Sequence, residues 1–68
     1  MTRSRDLTRR ELECLRRASE GQVSNSIAQD LGIETRTVEA HMANAMRKLG
    51  AHTRAEAVAH AFRQGFLK

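Results

Sequence analysis

The tightest constraint on this chain is one glycine with apolar residues spaced on either side of it. Between Ser24 and His41, the positions of Ile27, Ala28, Leu31, Gly32, Ile33 and Val38 predict a short helix, a tight turn and a longer helix crossing it steeply. Such a crossing needs a small residue where the backbones approach, and Ala28 supplies it. The turn needs a positive φ, which Gly32 adopts without a Cβ clash. Ile27, Leu31, Ile33 and Val38 then seal the crossing from both sides. Two helices joined by a glycine turn occur in many all-α proteins; all six positions together are far more specific.

The flanking segments are helical too. Thr8 is the expected N-cap of a first helix, with Glu11 completing a T-x-x-E capping box and Leu7 stapling onto Leu12. Leu12, Leu15 and Ala18 mark its buried stripe, and Gly21 ends it. Ser24 opens the second helix, which stops at Gly32. The third carries Val38, Met42, Ala45, Met46 and Leu49 at helical spacing and stops at Gly50. Thr53 and Glu56 form a second capping box, opening a fourth helix with Ala57, Val58, Ala61 and Phe62 inward. Gly65 ends it, and Phe66-Leu67 fold back as an apolar tail. The expectation is an all-α, four-helix helix-turn-helix domain over residues 7–68, with helices at about 9–20, 25–31, 35–49 and 54–64. Residues 1–6 read as a flexible N-terminal arm or the end of a linker.

Composition narrows the function. Sixty-eight residues make one domain, which buries only about 60% of its unfolded surface. The absence of Pro suits helices. The formal charge is +4, from 12 Lys and Arg against 8 Asp and Glu. Most of the cations are Arg, whose planar fork suits phosphate and guanine. Two Phe with no Tyr or Trp leave little to stack on single-stranded bases. The lone Cys14 has no disulfide partner within the chain and suits a reducing cytoplasm. It reads as a small packing residue. No apolar run approaches the ~20 residues of a membrane span. His41, His52 and His60 match no zinc spacing, so neither metal nor cofactor is expected. Glu11 serves as a cap, and Glu13 two residues on points elsewhere. No nucleophile and base converge, so the chain is not expected to be an enzyme.

The third helix presents two faces. Val38, Met42, Ala45 and Leu49 point to the core, while Arg36, Glu39, Ala40, Ala43 and Arg47 fall opposite. Small residues at 40 and 43 let a helix sink into a major groove. Arg36 and the Arg47-Lys48 pair then lie near flanking phosphates.

These residues resemble the DNA-binding domain of LuxR-type (GerE-like) transcription regulators. The shared pattern includes Leu7-Thr8-Arg9-Arg10-Glu11, Leu15, Gly21, Ile27-Ala28, Leu31-Gly32-Ile33 and Thr37-Val38. It continues through His41, Asn44, Arg47-Lys48-Leu49-Gly50, Arg54, Ala57-Val58 and Ala61, without a gap. The resemblance implies that the second and third helices read double-stranded DNA. It implies pairing through the fourth helix on a two-fold symmetric operator, with RNA polymerase as a further partner. By position, Glu39, Ala40 and Ala43 match base-facing sites. Arg36, Thr37, Arg47 and Lys48 match phosphate-facing sites, and Ser24 and Asn25 lie where the second helix meets the DNA backbone. Ala57, Val58 and Ala61 are small enough for two fourth helices to approach closely. A patch this short falls far below the ~1,200 Å² of stable complexes, so pairing without DNA is expected to be weak.

The departures fall near the DNA side. Glu34, a poor N-cap, stands where the family has Ser and leaves Thr35 to take over. Val23-Ser24-Asn25-Ser26 replaces Ser-Asn-Lys-Glu, removing a Lys. Glu39 is an acid where many members are basic or neutral, although a carboxylate accepts from cytosine N4. Two other functions compete: an interaction module that kept the fold but lost DNA affinity, and a sigma-factor promoter-reading domain. The capped fourth helix favours the regulator over the sigma domain.

Overall fold

The computed structural model describes residues 7–68, so the arm assigned to 1–6 lies outside the described residues. Four helices follow in order: α1 (Arg9–Ser19), α2 (Ser24–Leu31), α3 (Thr35–Leu49) and α4 (Arg54–Arg63). No strand occurs among the described residues. The boundaries match the expected ones to within one residue. Helices α1 and α4 stop one residue early because Glu20 and Gln64 leave helical geometry, with ψ of 5° and 2°.

Helices α1 and α3 each pack on all three other helices. The backbones of α2 and α4 do not touch. Leu15, Ile27, Val38, Met42 and Cys14 are the largest fully buried side chains. Each comes from an expected stripe except Cys14, which the core also encloses. Burial pushes the Cys14 thiol pKa up, as expected for an inert packing residue.

Gly32 turns α2 into α3 with φ 70° and ψ 32°. The Ile33 N–H then closes back onto the Ala28 carbonyl at 3.1 Å, satisfying a carbonyl at the helix end. Gly50 repeats this turn at the end of α3, with Ala51 N–H on the Met46 carbonyl at 2.9 Å. The C-terminal tail folds back as expected: Phe66 and Leu67 both donate to the Ala61 carbonyl, and Leu67 is buried.

The caps divide into two kinds. At α1 the full box is present: the Glu11 N–H donates to Thr8 Oγ1 at 3.1 Å, and the Thr8 N–H donates to Glu11 Oε1 at 3.0 Å. At α4 the expected box is incomplete. Thr53 Oγ1 accepts from the Glu56 N–H at 3.0 Å, but Glu56 Oε1 accepts from the His52 N–H at 2.7 Å. The carboxylate reaches one residue further back because Thr53 is strongly extended (φ −133°, ψ 162°). Helices α2 and α3 have no side-chain cap; Val23 and Glu34 occupy the cap positions. Thr35 does not take over as expected. It is the first helical residue of α3, and its hydroxyl donates to Asn25 Oδ1 at 2.9 Å.

On α4, Ala57 and Ala61 are fully buried, Val58 is half-buried and Phe62 is 45% exposed. Phe62 therefore does not join the core, because α4 turns only one narrow stripe inward.

Candidate nucleic-acid interface

Helix α3 divides as its periodicity requires. Val38, Met42, Ala45 and Leu49 are buried, whereas Arg36, Glu39, Ala40, Ala43 and Arg47 are exposed on the opposite side. Ala40 and Ala43 leave a shallow strip between longer side chains. Arg36 stands at the N-terminal end, with Nε donating to Glu34 Oε1 at 3.1 Å. Arg47 lies toward the C-terminal end, where Nη1 donates to Asn44 Oδ1 at 2.9 Å. Both guanidiniums retain free N–H groups, since each has five donors. Thr37 is half-buried. Asn25 is exposed at the start of α2 and tied to Thr35, so the N-termini of α2 and α3 lie side by side.

Three groups of expected site residues sit differently from what the resemblance implies. Ser24 is 8% exposed, and its hydroxyl accepts from Arg54 Nη2 at 3.2 Å. Lys48 turns inward, its Nζ donating to Glu11 Oε1 at 2.8 Å. Ala57 and Ala61 have no exposed surface to offer a partner chain. What α4 offers outward is Ala55, Val58, Ala59 and Phe62, an i, i+3, i+4, i+7 stripe.

Sequence reasoning missed two connections. One is the Glu11–Lys48 pair, which joins α1 to the end of α3. Burial pushes the Glu11 pKa up, but the Lys48 ammonium and the Thr8 N–H and hydroxyl together hold it below its ordinary value. The other is Arg54, which bonds both Ser24 and Glu39 Oε1, the latter at 3.1 Å. One signal for it was available: a cation in the first turn of a helix sits against the positive end of the dipole. Such a residue needs a reason to be there.

His60 Nδ1 lies 2.9 Å from the Leu49 carbonyl, close to the end of α3. Among the described residues no group of three His, Cys, Asp or Glu gathers to hold a metal. No described helix is long and apolar enough to cross a membrane. A groove of about 550 Å³ runs between the end of α1 and the C-terminal tail, lined by Arg16, Phe62 and Phe66 among others. It contains no residue of α3.

Comparison with known proteins agrees with this fold. The GerE family model, described as bacterial regulatory proteins of the luxR family, matches residues 5–61. The solved structure of the transcription factor GerE superposes with a TM-score of 0.87 at 32% identity, covering 91% of this chain and 92% of that one. Transcriptional activator protein AhyR of Aeromonas hydrophila is 48% identical over 61 residues, 90% of this chain and 24% of the relative. Transcriptional regulatory protein YdfI of Bacillus subtilis is 41% identical over 61 residues, 90% of this chain and 29% of the relative. The chain thus spans about a quarter of the length of these curated relatives. With the family model matched and the fold superposed across most of its length, the chain belongs to the LuxR family of bacterial transcription regulators, as its helix-turn-helix domain.

Proposed function

We propose that this domain binds double-stranded DNA sequence-specifically, with α3 in the major groove. The observation that carries this reading is the exposed Ala40–Ala43 strip with Arg36 at one end and Arg47 at the other. Glu39, Ala40 and Ala43 face base edges. Arg36, Arg47, Thr37 and Asn25 face phosphates, helped by the N–H groups that Val23 and Glu34 leave uncapped at α2 and α3. Ser24 and Lys48 support this surface through their internal bonds to Arg54 and Glu11. The ligand places the domain's action in the bacterial cytoplasm.

Two domains bind a two-fold symmetric operator, and they pair along Ala55, Val58, Ala59 and Phe62 of α4. The stripe is short, so pairing is weak until DNA holds two chains about one helical turn apart. RNA polymerase is a further partner of the bound dimer.

The competing interaction module rests on the absent Lys at the start of α2 and on the acids Glu34 and Glu39. The two acids are in ion pairs with arginines, Arg36 and Arg54, which offsets their repulsion of phosphate. Selection from a random duplex pool, followed by a salt titration, tests the proposal. A palindromic site bound with a steep loss of affinity as salt rises is the expected result. Recovery of no sequence, or binding indifferent to salt, would favour the interaction module.

A further inference from the structure

Arg54 links three helices through one guanidinium. Its Nη2 lies 3.2 Å from Ser24 Oγ on α2 and 3.1 Å from Glu39 Oε1 on α3. The backbones of α2 and α4 are not in contact, so the side chain spans a gap that main-chain packing leaves open. Its location is electrostatically odd. Arg54 is the first residue of α4, where the helix dipole disfavours a cation. The pair with Glu39 is too exposed, at 37% and 55%, to contribute much to folding. Ser24, by contrast, is buried and rigidly placed in the first turn of α2, so it gives the guanidinium a fixed anchor.

We propose that Arg54 is a specificity-positioning residue: anchored on Ser24, it holds the Glu39 carboxylate in one orientation and neutralises it on the face that meets DNA. This rests on the reading of α3 as the DNA-facing helix. A free glutamate at that position rotates among several rotamers and repels phosphates whichever it adopts. Held through Oε1, it keeps its second oxygen available to accept from an exocyclic amine such as cytosine N4. Glu39 thus makes the base contact, and Arg54 acts through it.

The test uses the full 68-residue chain as wild type, Arg54→Gln, Glu39→Gln, the double variant and Arg54→Lys. Each is titrated against duplexes recovered by the wild type, with all four bases placed at every half-site position. Glu39→Gln is expected to lower discrimination at one base pair by roughly five- to a hundredfold. Arg54→Gln should lower it at the same base pair by at least about fivefold, and the double variant should lose no more than the larger single change. The melting temperature should move by only a few degrees. If Arg54→Gln melts early, Arg54→Lys decides. Both bonds leave the same Nη2. A lysine keeps the charge but ends one bond short of that atom, so it does not span Ser24 and Glu39 together, and affinity for random duplex should persist while discrimination at that base pair falls at least about twofold.

A uniform loss across all sequences with an unchanged base profile would overturn the inference. So would additive single effects, or a lysine variant with full discrimination. Failure of the wild type itself to bind any duplex is a separate result, which would strike the DNA-facing reading of α3 and this inference with it.

Discussion

Helices α1 and α4 start on threonine caps, whereas α2 and α3, the crossing pair, start on Val23 and Glu34 with no side-chain cap. Each helix of the capped pair satisfies one first-turn N–H through its threonine. The uncapped pair leaves donors open at two helix N-termini that lie together, joined by Asn25 and Thr35. An N-cap contributes about 1 kcal/mol, so α2 and α3 forgo stability where a polyanion can supply the missing acceptors. The lesson is that local stability and the candidate interface are segregated by helix. Side-chain pairing follows the same division: Glu11–Lys48 is largely enclosed, while Glu34–Arg36 is almost wholly exposed.

The largest effect should come from the stabilising side of this division. Glu11→Ala removes half a capping box and leaves the Lys48 ammonium without its partner, for an expected loss of about 2–4 kcal/mol in urea unfolding. Its acid dependence has a definite sign. The folded-state pKa of Glu11 is depressed, so its stabilisation is complete above the ordinary carboxylate value of 4.5 and is lost as pH falls through the lowered one. Glu11→Gln should flatten that acid limb. A variant that unfolds with the same pH profile as the wild type would show that Glu11 is not its source.

The interface side should respond in binding instead. Arg36→Ala and Arg47→Ala should each weaken all duplexes alike and lower the salt slope by about one unit, with little change in melting. Lys48→Ala should do the reverse, lowering stability while leaving the slope nearly intact, because its ammonium is held by Glu11. A full unit lost from the slope of a stable Lys48→Ala would return that residue to the phosphate contacts.

Cap exchange sharpens the comparison further. Val23→Asp should raise stability by about 1 kcal/mol and still weaken duplex binding, since the new carboxylate occupies the N–H groups and repels phosphate. Thr53→Ala should cost about 1 kcal/mol without touching base preference. If Val23→Asp strengthened binding, the open N-terminus of α2 would not face phosphate.

The smallest change in single-site affinity belongs to Val58→Glu. Half-site binding should stay within a few-fold, while cooperative binding of two chains to a palindromic operator disappears. Sedimentation with and without DNA checks it, and a tight dimer indifferent to the substitution would move pairing to another surface.

Most of the fold was legible because its signals are local. Helix periods, the Thr8–Glu11 box and the Gly32 turn depend on residues within about one turn of each other. The two faces of α3 followed from the same periodicity. The fourth helix was harder, since Ala57, Val58, Ala61 and Phe62 are all apolar and periodicity alone does not say which stripe wins. Burial chose Ala57 and Ala61, moving the outward stripe to Ala55, Val58, Ala59 and Phe62.

Sequence alone therefore determined the four helices, their stops, the glycine turn between α2 and α3 and the exposed strip of Ala40 and Ala43. Tertiary structure alone decided which charges pair across helices. Lys48 and Glu11 are 37 residues apart, and Arg54 lies 30 from Ser24 and 15 from Glu39. Long flexible side chains meet over such separations only once packing has set the angles between helices. A backbone pattern within one helix carries no record of that angle, so the partners of Lys48 and Arg54 emerge only when α1, α2 and α4 close around α3.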